Sequence, residues 1–476
     1  MKKERICLVI PPSVFLLDER VFMSLGILKV AAVLENSGYD IDVLDLSGIE
    51  NIEKVIENYI KLSNVLVFGL TATTPQMPAV NRIVSAIRQE RNGVKIIIGG
   101  PHVTLVNAAR KKEEEKHIGG RATKAFSDLE KMAEVIVAGD GEEAIFEALK
   151  PDFKGLVDYD IPELMLSGTK LNGQPFPARH LVDVGSYRYF IDGERALNLI
   201  AQLGCPYACG FCGGRKSPSF RRIRTRSVEN IIQEIEFIHK TYGIKGFMFY
   251  DDELNVNPKM FVQLMNSISD LQEKLGVEFR LRGFVRANLF NAEQAKAMHR
   301  AGFRWLLVGF ESGSEKMLLN MNKRSTAIQN SICVEAARNA GLKVKALMSI
   351  GHPGESEKTI MESHKWLLNA RPDDFDLTVI TVYPGTAYYD EAVWCRPGVW
   401  VYTFNNDRLY SLEVDYLKVA DYYKGNPEGG YKSYVYTDYL TAEKIVELRD
   451  FLEKDVRGEL KIQFNKSDPA RHYDHS

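Results

Sequence analysis

Three cysteines stand close together near the middle of the chain. Cys205, Cys209 and Cys212 form a C-x3-C-x2-C pattern within the stretch GCPYACGFCGG. The glycines of this loop allow the tight backbone turns through which three sulfurs can converge. Closely spaced thiolates of this kind are typical of iron–sulfur clusters, which are usually held by four of them. Three ligands therefore predict a cluster in which one iron keeps a coordination position open for a small molecule.

The cysteine loop is also compatible with a zinc site or with simple packing. A structural zinc site normally has four protein ligands, and the loop contains no histidine, so zinc would need a fourth ligand from elsewhere in the chain. Alternatively, the three cysteines are structural side chains that only pack. The remaining cysteines, Cys7, Cys333 and Cys395, have no cysteine neighbour and predict no second cluster.

The composition indicates a globular protein with more than one domain. The chain has 476 residues, too many for one ordinary core, and 45% of them are hydrophobic. A formal net charge of −2 gives no reason to expect a nucleic-acid partner. No apolar run approaches the roughly 20 residues of a membrane span. Few cysteines, half of them clustered, are typical of a reducing compartment, so we expect a cytoplasmic protein without a membrane partner.

The first 150 residues alternate short apolar runs with helical patterns. The runs RICLVI, IDVLD, NVLVFG, VKIIIG and EVIVAG are rich in Val, Ile and Leu, which predicts five strands buried on both faces of a parallel sheet. Helical spacing lies between them, at 22–36, 52–61 and 77–89. This pattern predicts a doubly wound, Rossmann-like α/β domain whose ligand lies at the carboxyl ends of the strands. The charged stretch 108–126 predicts a solvated surface segment.

The second half of the chain predicts a partial barrel. Residues 151–195 are rich in Pro and Gly and predict a linker. Six further strand candidates then alternate with longer helices across 196–395, too few units for a closed eight-unit TIM-type barrel. The cysteine loop follows the first of these strands, on the side where barrel chemistry lies. Residues 396–476 predict a smaller, mainly helical and Tyr-rich region, which either packs or closes the barrel mouth over the substrate.

The cysteine pattern, with Phe211 before its last cysteine, resembles the radical S-adenosylmethionine (SAM) superfamily. In that superfamily the open iron is chelated by the amino and carboxylate groups of SAM, and one electron cleaves SAM to a 5′-deoxyadenosyl radical. The stretch RTRSVENIIQEIEFIHKTYGIKGFMFYDDEL and the turns after the later barrel strands are also similar to it. The resemblance implies a 4Fe-4S cluster, SAM, and an electron donor such as flavodoxin or ferredoxin.

The same resemblance implies which residues contact SAM. The acidic turn that ends the second barrel strand is expected near the SAM amino group, although an ordinary helix cap is the alternative. A guanidinium suits a carboxylate, so Arg286 is expected at the SAM carboxylate, with an internal ion pair as the alternative. Later turns are expected at the ribose or methionine moiety and at adenine. The predicted residues are Phe211, Gly213, Asp251, Asp252, Glu253, Arg286, Glu311, Ser312, Gly351 and Pro353.

The first domain resembles the cobalamin-binding domain of cobalamin-dependent radical SAM enzymes. The similar stretches are SLGILKVAAVLENSGYDIDVLD, GLTATTPQMPAVNRIVSAIRQ, IIIGGPHVT and VAGDGEEAI. A histidine motif that supplies a ligand to cobalt in many cobalamin proteins, D-x-H-x-x-G, is absent. We therefore expect no histidine ligand, and we expect His102 either at the nucleotide tail or as a loop cap. The implied contacts are Leu25, Gly26, Thr71, Thr73, Gln76, Gly99, Gly100, His102, Gly139, Gly141 and Glu142.

These resemblances together predict an enzyme that uses the cluster, SAM and cobalamin to methylate an unactivated carbon of a small-molecule substrate. No catalytic residue beyond the cluster ligands is predicted. One alternative is ring closure, ring contraction or oxidation without methyl transfer, and another is a non-catalytic cobalamin or cluster sensor. A basic run between Arg215 and Arg226 is either a solvated face or a holder of an anionic group.

Overall fold

The structure is a computed structural model that describes residues 4–13, 18–214, 217–422 and 431–463. Arg215 and Lys216 of the basic run, and residues 423–430 of the Tyr-rich region, lie outside the described residues. No helix in the described ranges combines the length and the apolar character needed to cross a membrane.

Six strands form the first sheet: β1 (Arg5–Ile10), β2 (Asp40–Asp45), β3 (Val67–Thr71), β4 (Lys95–Gly99), β5 (Val135–Gly139) and β6 (Gly155–Tyr159). All pairs are parallel, in the spatial order β2-β1-β3-β4-β5-β6. The doubly wound, Rossmann-like domain is therefore confirmed. The sixth strand, β6, lies in the stretch that the sequence analysis assigned to a linker. It was not predicted because its run of apolar or glycine residues is only three residues long.

Helices cover both faces of this sheet: α1 (Leu25–Asn36), α2 (Ile52–Leu62), α3 (Met77–Glu90), α4 (Pro101–Glu115), α5 (Arg121–Met132) and α6 (Gly141–Ala148). The charged stretch predicted as a surface segment contributes to α4 and α5. Both helices bury apolar residues such as Ala109, Phe126 and Leu129, while Glu114, Glu115 and Lys124 are exposed. Lys112 and Arg121 instead turn inward, to Asp390 and Tyr389.

The next nine strands follow in chain order: β7 (Tyr189–Ile191), β8 (Glu194–Leu199), β9 (Gln202–Leu203), β10 (Arg224–Thr225), β11 (Gly246–Phe249), β12 (Arg280–Phe284), β13 (Phe303–Glu311), β14 (Lys343–Ile350) and β15 (Asp374–Val379). β9 and β10 pair as a short ribbon. The other seven form one sheet in the order β15-β14-β13-β12-β11-β8-β7. Its six parallel strands are the predicted partial barrel, and β7 adds an antiparallel edge.

The helices of this region are α7 (Gly168–Gly173), α8 (Pro218–Arg221), α9 (Val228–Tyr242), α10 (Pro258–Leu275), α11 (Ala292–Arg300), α12 (Glu315–Asn320), α13 (Ala327–Asn339), α14 (Glu357–Ala370) and α15 (Ala387–Asp390). Short 3₁₀ turns occur at Thr74–Gln76, Arg179–Leu181, Val184–Ser186 and Ala287–Leu289. The long helices pack against the outside of the sheet, where residues such as Phe247 and Phe249 of β11 are fully buried.

The last described region is a four-stranded antiparallel sheet and one helix: β16 (Val393–Arg396), β17 (Val399–Phe404), β18 (Asp407–Leu412), β19 (Val435–Thr437) and α16 (Ala442–Leu460). The helix agrees with the sequence analysis, whereas the sheet was not expected. Arg449 and Arg457 of α16 donate to carbonyl oxygens of β15, so the helix is tied to the open edge of the barrel.

Buried polar contacts join the two sheets. The Asn198 side chain both accepts from the amide of Met23 and donates to its carbonyl, at 3.1 and 2.9 Å. The Tyr187 hydroxyl donates to Asp45 at 2.8 Å. These contacts hold the carboxyl ends of the two sheets close to each other.

Candidate active site

Backbone hydrogen bonds hold the cysteine loop in place from both sides. The amide of Gly204 donates to the Asp252 carboxylate at 2.8 Å, and the amide of Cys205 donates to the carbonyl of Phe220 at 2.8 Å. On the other side, the amide of Gly210 donates to the carbonyl of Met321. Gly204 has a φ of +88°, and a Cβ there would lie 2.1 Å from a backbone oxygen, so this position requires glycine.

All three loop cysteines line one cavity of about 230 Å³, which we call the cluster cavity. Its wall combines sulfur, acidic, basic and apolar side chains. The residues are Cys205, Tyr207, Cys209, Phe211, Cys212, Gly213, Phe220, Arg221, Asp252, Glu253, Phe284, Val285, Arg286, Leu307, Gly309, Glu311, Lys323 and Leu347. Six of the ten residues predicted to contact SAM are among them.

The donor chemistry of this cavity fits an iron–sulfur cluster. In the described part of the chain, no three His, Cys, Asp or Glu side chains converge closely enough to hold a single metal ion. A cluster makes a different demand, because each cysteine binds a different iron and the sulfurs need not meet at one point. Burial raises the pKa of Cys205 to about 11 in the metal-free chain, and bound cations favour the thiolate instead.

The acidic residues after β11 have two different roles, since one stabilises the fold and two line the cluster cavity. Asp251 is buried and accepts from the amides of Ala201 and Gln202, which makes it an anchor for the chain after β8 and leaves it outside the cluster cavity. Asp252 and Glu253 line the cavity. Burial raises the pKa of Glu253 to about 7, against the opposing effect of nearby Lys323.

Arg286 lies at the cavity wall with its guanidinium held on several sides. Its Nη1 is 3.9 Å from Glu253, its Nε donates to Asn288 at 2.9 Å, and its Nη2 donates to the carbonyl of Lys323. The guanidinium carbon lies 3.4 Å from the centre of the Tyr207 ring, within the cysteine loop. Arg286 is therefore fixed in direction, with a loose ion pair to Glu253.

Glu311 ends β13 at the edge of the same cavity. Its φ of +65° is unusual for a side chain with a Cβ, and it follows a shift in the register of β13 against β14. Lys323 approaches Oε1 at 3.0 Å, and the hydroxyl of Ser349 donates to Oε2 at 2.8 Å. Although burial lowers the pKa of Lys323, surrounding negative groups, Glu311 foremost, raise it above its ordinary value.

A buried hydrogen-bonded chain continues from Ser349 away from the cavity. Ser349 lies 2.9 Å from Nε2 of His352, and Nδ1 of His352 lies 3.2 Å from the Tyr388 hydroxyl. Burial lowers the pKa of His352 to about 4, so the ring is neutral. Tyr388 packs on the cysteine loop, because a Cβ at Gly210 would lie 2.4 Å from its ring. This chain therefore connects Glu311 to the cysteine loop.

Three more residues predicted to contact SAM lie outside the cluster cavity. Ser312 is buried and shares a hydrogen bond with Ser363 at 2.9 Å. Gly351 has a φ of +93°, and a Cβ there would meet Val435 at 2.9 Å. The carbonyl of Pro353 accepts from Asn320. In this structure Ser312 and Pro353 make contacts within the barrel region, and only Gly351 borders the C-terminal sheet.

A second cavity, of about 380 Å³, lies at the carboxyl ends of the first sheet. We call it the sheet-end cavity. Seven predicted cobalamin contacts line it: Gly26, Thr71, Gly99, Gly100, Gly139, Gly141 and Glu142. Much of the remaining wall is apolar, including Leu8, Ile97 and Val137. A Cβ at Gly26 would meet no atom within 4 Å, so it would project into the open cavity. With glycine there, a flat macrocycle can approach the backbone.

The other four predicted cobalamin contacts lie outside this cavity. Leu25 is buried in the core. Thr73 and Gln76 form a capping box. His102 is 3% exposed, and its Nδ1 lies 3.0 Å from the Thr74 hydroxyl. Of the two expectations for His102, this arrangement corresponds to the loop cap.

The two cavities share part of their walls. Phe220 and Asp252 line both of them. Arg224 lines the sheet-end cavity and forms a buried ion pair with Asp140, which joins the β9–β10 ribbon to the end of β5. The basic run is therefore partly structural, and the two cavities are immediate neighbours.

Several residues of the site were not predicted from the sequence. Lys323, Ser349, His352 and Tyr388 come from β14 and from the connections after β13, β14 and β15. Phe220 lies between the cysteine loop and β10. The family resemblance marks the turns at the ends of β13 and β14, which contain Lys323, Ser349 and His352, but it does not single out these side chains. Most of their contacts with each other are long-range and leave no spacing pattern in a single sequence.

Two family models match the chain. Residues 19–130 match the B12 binding domain, and residues 199–367 match the Radical SAM superfamily. The first match covers β2, β3 and β4 of the first sheet with the helices around them, and the second covers the cysteine loop and the barrel up to α14. These domains imply a 4Fe-4S cluster, SAM and cobalamin as cofactors.

Similar proteins include several methyltransferases. An uncharacterized methyltransferase of Pyrococcus horikoshii is 28% identical over 83% of this chain and 84% of its own length. The bacteriochlorophyllide d C-12(1)-methyltransferase of Chlorobaculum tepidum is 25% identical over 49% of this chain and 53% of its own. An anaerobic magnesium-protoporphyrin IX monomethyl ester cyclase of Cereibacter sphaeroides is 23% identical over 76% of this chain and 59% of its own.

Solved structures share the fold. The radical SAM methyltransferase TsrM from Kitasatospora setae, with tryptophan substrate and a SAM analog bound, has a TM-score of 0.64 at 16% identity, covering 96% of this chain and 88% of that chain. The cobalamin-dependent radical enzyme OxsB has a TM-score of 0.58 at 18% identity, covering 82% of this chain and 54% of that chain. The chain belongs to the radical SAM enzymes in which a B12 binding domain precedes the radical SAM domain.

Proposed function

We propose that this enzyme methylates an unactivated carbon of a small-molecule substrate. The observation that carries the proposal is the shared wall: Phe220 and Asp252 line both the cluster cavity and the sheet-end cavity. A substrate at this wall touches both cofactor sites without moving. When bound, the cluster with SAM supplies radical chemistry and cobalamin supplies a methyl group.

The roles of the residues follow from their places. Cys205, Cys209 and Cys212 hold the cluster, while Asp252 and the carbonyl of Phe220 hold the loop that carries these cysteines. We assign Glu253, Arg286 and Glu311 to SAM, since charged groups of both signs face the same cavity as the cysteines. The glycines at the ends of β4 and β5 admit cobalamin close to the backbone.

From the sequence we propose the domain limits 1–150 for cobalamin, 151–195 for a linker, 196–395 for the barrel and 396–476 for a region closing the substrate site. The sheets extend past these limits, because β6 belongs to the first sheet, β7 and the start of β8 to the barrel, and β16 to the C-terminal sheet. A one-electron donor such as flavodoxin or ferredoxin completes the proposal, because SAM cleavage requires one electron. We place the reaction in the cytoplasm, where a reducing environment preserves thiolates.

The test is anaerobic purification with cobalamin supplied, followed by quantification of iron, sulfide and cobalt. We expect about four irons and one cobalt per chain. Reduced protein given SAM labelled in its methyl group, together with a small-molecule cell extract as the source of substrate, should form deoxyadenosine and a labelled product. Cys209→Ala should abolish both while Cys333→Ala, buried in α13 and outside the cysteine loop, should retain both. Iron without cobalt would overturn the methyl-transfer proposal.

A second candidate function is ring closure without methyl transfer. Its support is the similarity to magnesium-protoporphyrin IX monomethyl ester cyclases, found in three organisms. The mass of the product separates the two functions, because only methylation adds the labelled carbon.

A further inference from the structure

Four aromatic rings form a continuous chain inside the barrel mouth. Phe22 contacts Tyr189 with ring centres 4.8 Å apart and Tyr250 with ring centres 5.2 Å apart. Tyr250 contacts Phe284 in an edge-to-face arrangement at 6.2 Å. We call these four residues the aromatic recess. Such offset and edge-to-face contacts are the favourable arrangements for aromatic rings.

Strand geometry directs Tyr250 and Phe284 toward the barrel interior. β11 pairs with β12 so that Met248 stands beside Arg282, which places Tyr250 beside Phe284 two residues further on. Successive side chains alternate between the two faces of a strand. Phe247 and Phe249 are fully buried under the outer helices, so Tyr250 faces the other way, into the interior.

The recess is open although it lies within the protein. Tyr250 is 48% exposed, yet burial raises the pKa of its hydroxyl. The exposed fraction and the raised pKa are both explained if protein surrounds the Tyr250 ring on several sides and leaves one side open to solvent. The flat apolar surface is therefore presented to a concave space.

This space lies between the two cofactor cavities. Tyr250 lines the sheet-end cavity and Phe284 lines the cluster cavity. Tyr189 is held by a hydrogen bond from Arg282 to its hydroxyl at 2.8 Å, so the position of this ring is fixed as well. A molecule in contact with both cavities meets these rings.

We infer that the aromatic recess binds the substrate and selects a flat, conjugated or aromatic ring system. This inference rests on the proposed function, because the recess is assigned by its place between the two cofactor cavities. Aromatic rings favour other flat π systems, which stack or meet them edge to face. A saturated ring of equal size offers neither a flat face nor a π system, so it gains less from the same walls.

The test uses two probes that share one carbon skeleton, of which one is flat and aromatic and the other is saturated. Naphthalene-2-carboxylate and decalin-2-carboxylate are dialysed to equilibrium against protein loaded with cluster, SAM and cobalamin, and the bound fraction is measured by chromatography. We expect the flat probe to bind at least about five-fold more tightly than the saturated one. Tyr250→Leu and Phe284→Leu should each remove most of this difference.

Phe190→Leu is the matched control. Phe190 neighbours Tyr189 on β7, is 54% exposed and lies on the opposite face of the strand. This variant should keep the preference of the unchanged protein. Equal affinity for both probes, or a preference that survives Tyr250→Leu and Phe284→Leu, would overturn the inference. Every sample is assayed for iron and cobalt first, so that weak binding caused by missing cofactors is recognised. A protein that loads both cofactors but adds no labelled carbon to a product contradicts the proposed function, whatever its preference between the two probes.

Discussion

The hydroxyl of Ser349 donates to Oε2 of Glu311 across 2.8 Å, behind the wall of the cluster cavity. A carboxylate only accepts, so the single hydroxyl hydrogen of Ser349 is committed to Glu311. Ser349 must then accept from Nε2–H of His352, whose Nδ1 in turn accepts from the Tyr388 hydroxyl. The order of donors is thereby fixed along the whole chain, and it ends on the Glu311 carboxylate.

Replacing Ser349 should weaken SAM binding. Ser349→Ala removes a donor from an ionised carboxylate, a contact of roughly 1.5 kcal/mol, which corresponds to about ten-fold in affinity. Equilibrium dialysis of SAM against cluster-loaded protein measures the change. Ser411→Ala, at a serine buried in β18 away from the site, serves as the control and should bind SAM as the unchanged protein does.

Removing the hydroxyl at the far end of the chain should have a smaller effect. Tyr388→Phe keeps the ring against Gly210 but takes away the donor to His352, which leaves Glu311 its other contacts. We expect SAM affinity to fall by about three-fold, as for one neutral hydrogen bond. Tyr422→Phe is the control, because the Tyr422 hydroxyl is buried without a partner among the described residues. An equal loss in both variants would contradict a role for the chain.

Removing the Phe220 ring from the shared wall should uncouple SAM cleavage from product formation. Phe220→Ala removes the ring that separates the cavities but keeps the backbone carbonyl that holds Cys205. We expect the protein to load its cofactors and still form deoxyadenosine, while the yield of product per deoxyadenosine falls about ten-fold through loss of positioning. Simultaneous quantification of both products measures this ratio. An unchanged ratio would show that the ring does not position the substrate.

Filling the sheet-end cavity should separate stability from cobalamin binding. Gly26 lies in the first turn of α1, and a side chain there meets no protein atom within 4 Å of its Cβ. Gly26→Leu should raise helix stability by up to about 1 kcal/mol while reducing the cobalt content of the purified protein. Thermal unfolding of the cofactor-free chain and cobalt quantification test the two effects. Undiminished cobalt would remove Gly26 from the cobalamin site.

Glu355 should make stability fall as the pH rises. Burial raises its pKa to about 7, and it is 1% exposed. The folded state therefore retains a proton that the unfolded state loses near its ordinary pKa of 4.5. The free energy of unfolding should fall between pH 4.5 and 7 by about 3 kcal/mol from this group.

Glu355→Gln isolates this contribution. Glutamine cannot ionise, so the variant should unfold at a higher temperature than the unchanged protein at about pH 8 and at a similar temperature at about pH 4.5. The comparison at two pH values removes the effect of other groups, because they are the same in both proteins. A difference that does not depend on pH would contradict the assignment.

Local patterns predicted much of this structure. The cysteine loop, the parallel strands and the glycines at the ends of β4 and β5 depend on residue type and short spacing, so they could be found in the sequence. β6 escaped notice because GLVDY is short and half-buried. The charged stretch 108–126 forms helices because its apolar residues, such as Phe126, repeat on one face only.

Local sequence patterns did not predict which side chains face the two cavities. Asp251 and Asp252 are adjacent and chemically identical, yet one anchors the chain after β8 and the other faces both cavities. Lys323 and Glu311 are twelve residues apart in the sequence, and helix α12 between them brings the two side chains together. Which of several similar side chains faces a cavity is decided by the packing of distant strands, and spacing in one sequence does not contain it.

Asp252 couples the two cavities. Its carboxylate holds the first amide of the cysteine loop, while its side chain belongs to the walls of both cavities. Any displacement of Asp252 on filling one cavity therefore reshapes the other. Thermodynamic linkage then makes the two occupancies reciprocal: the factor by which cobalamin changes the affinity for SAM equals the factor by which SAM changes the affinity for cobalamin.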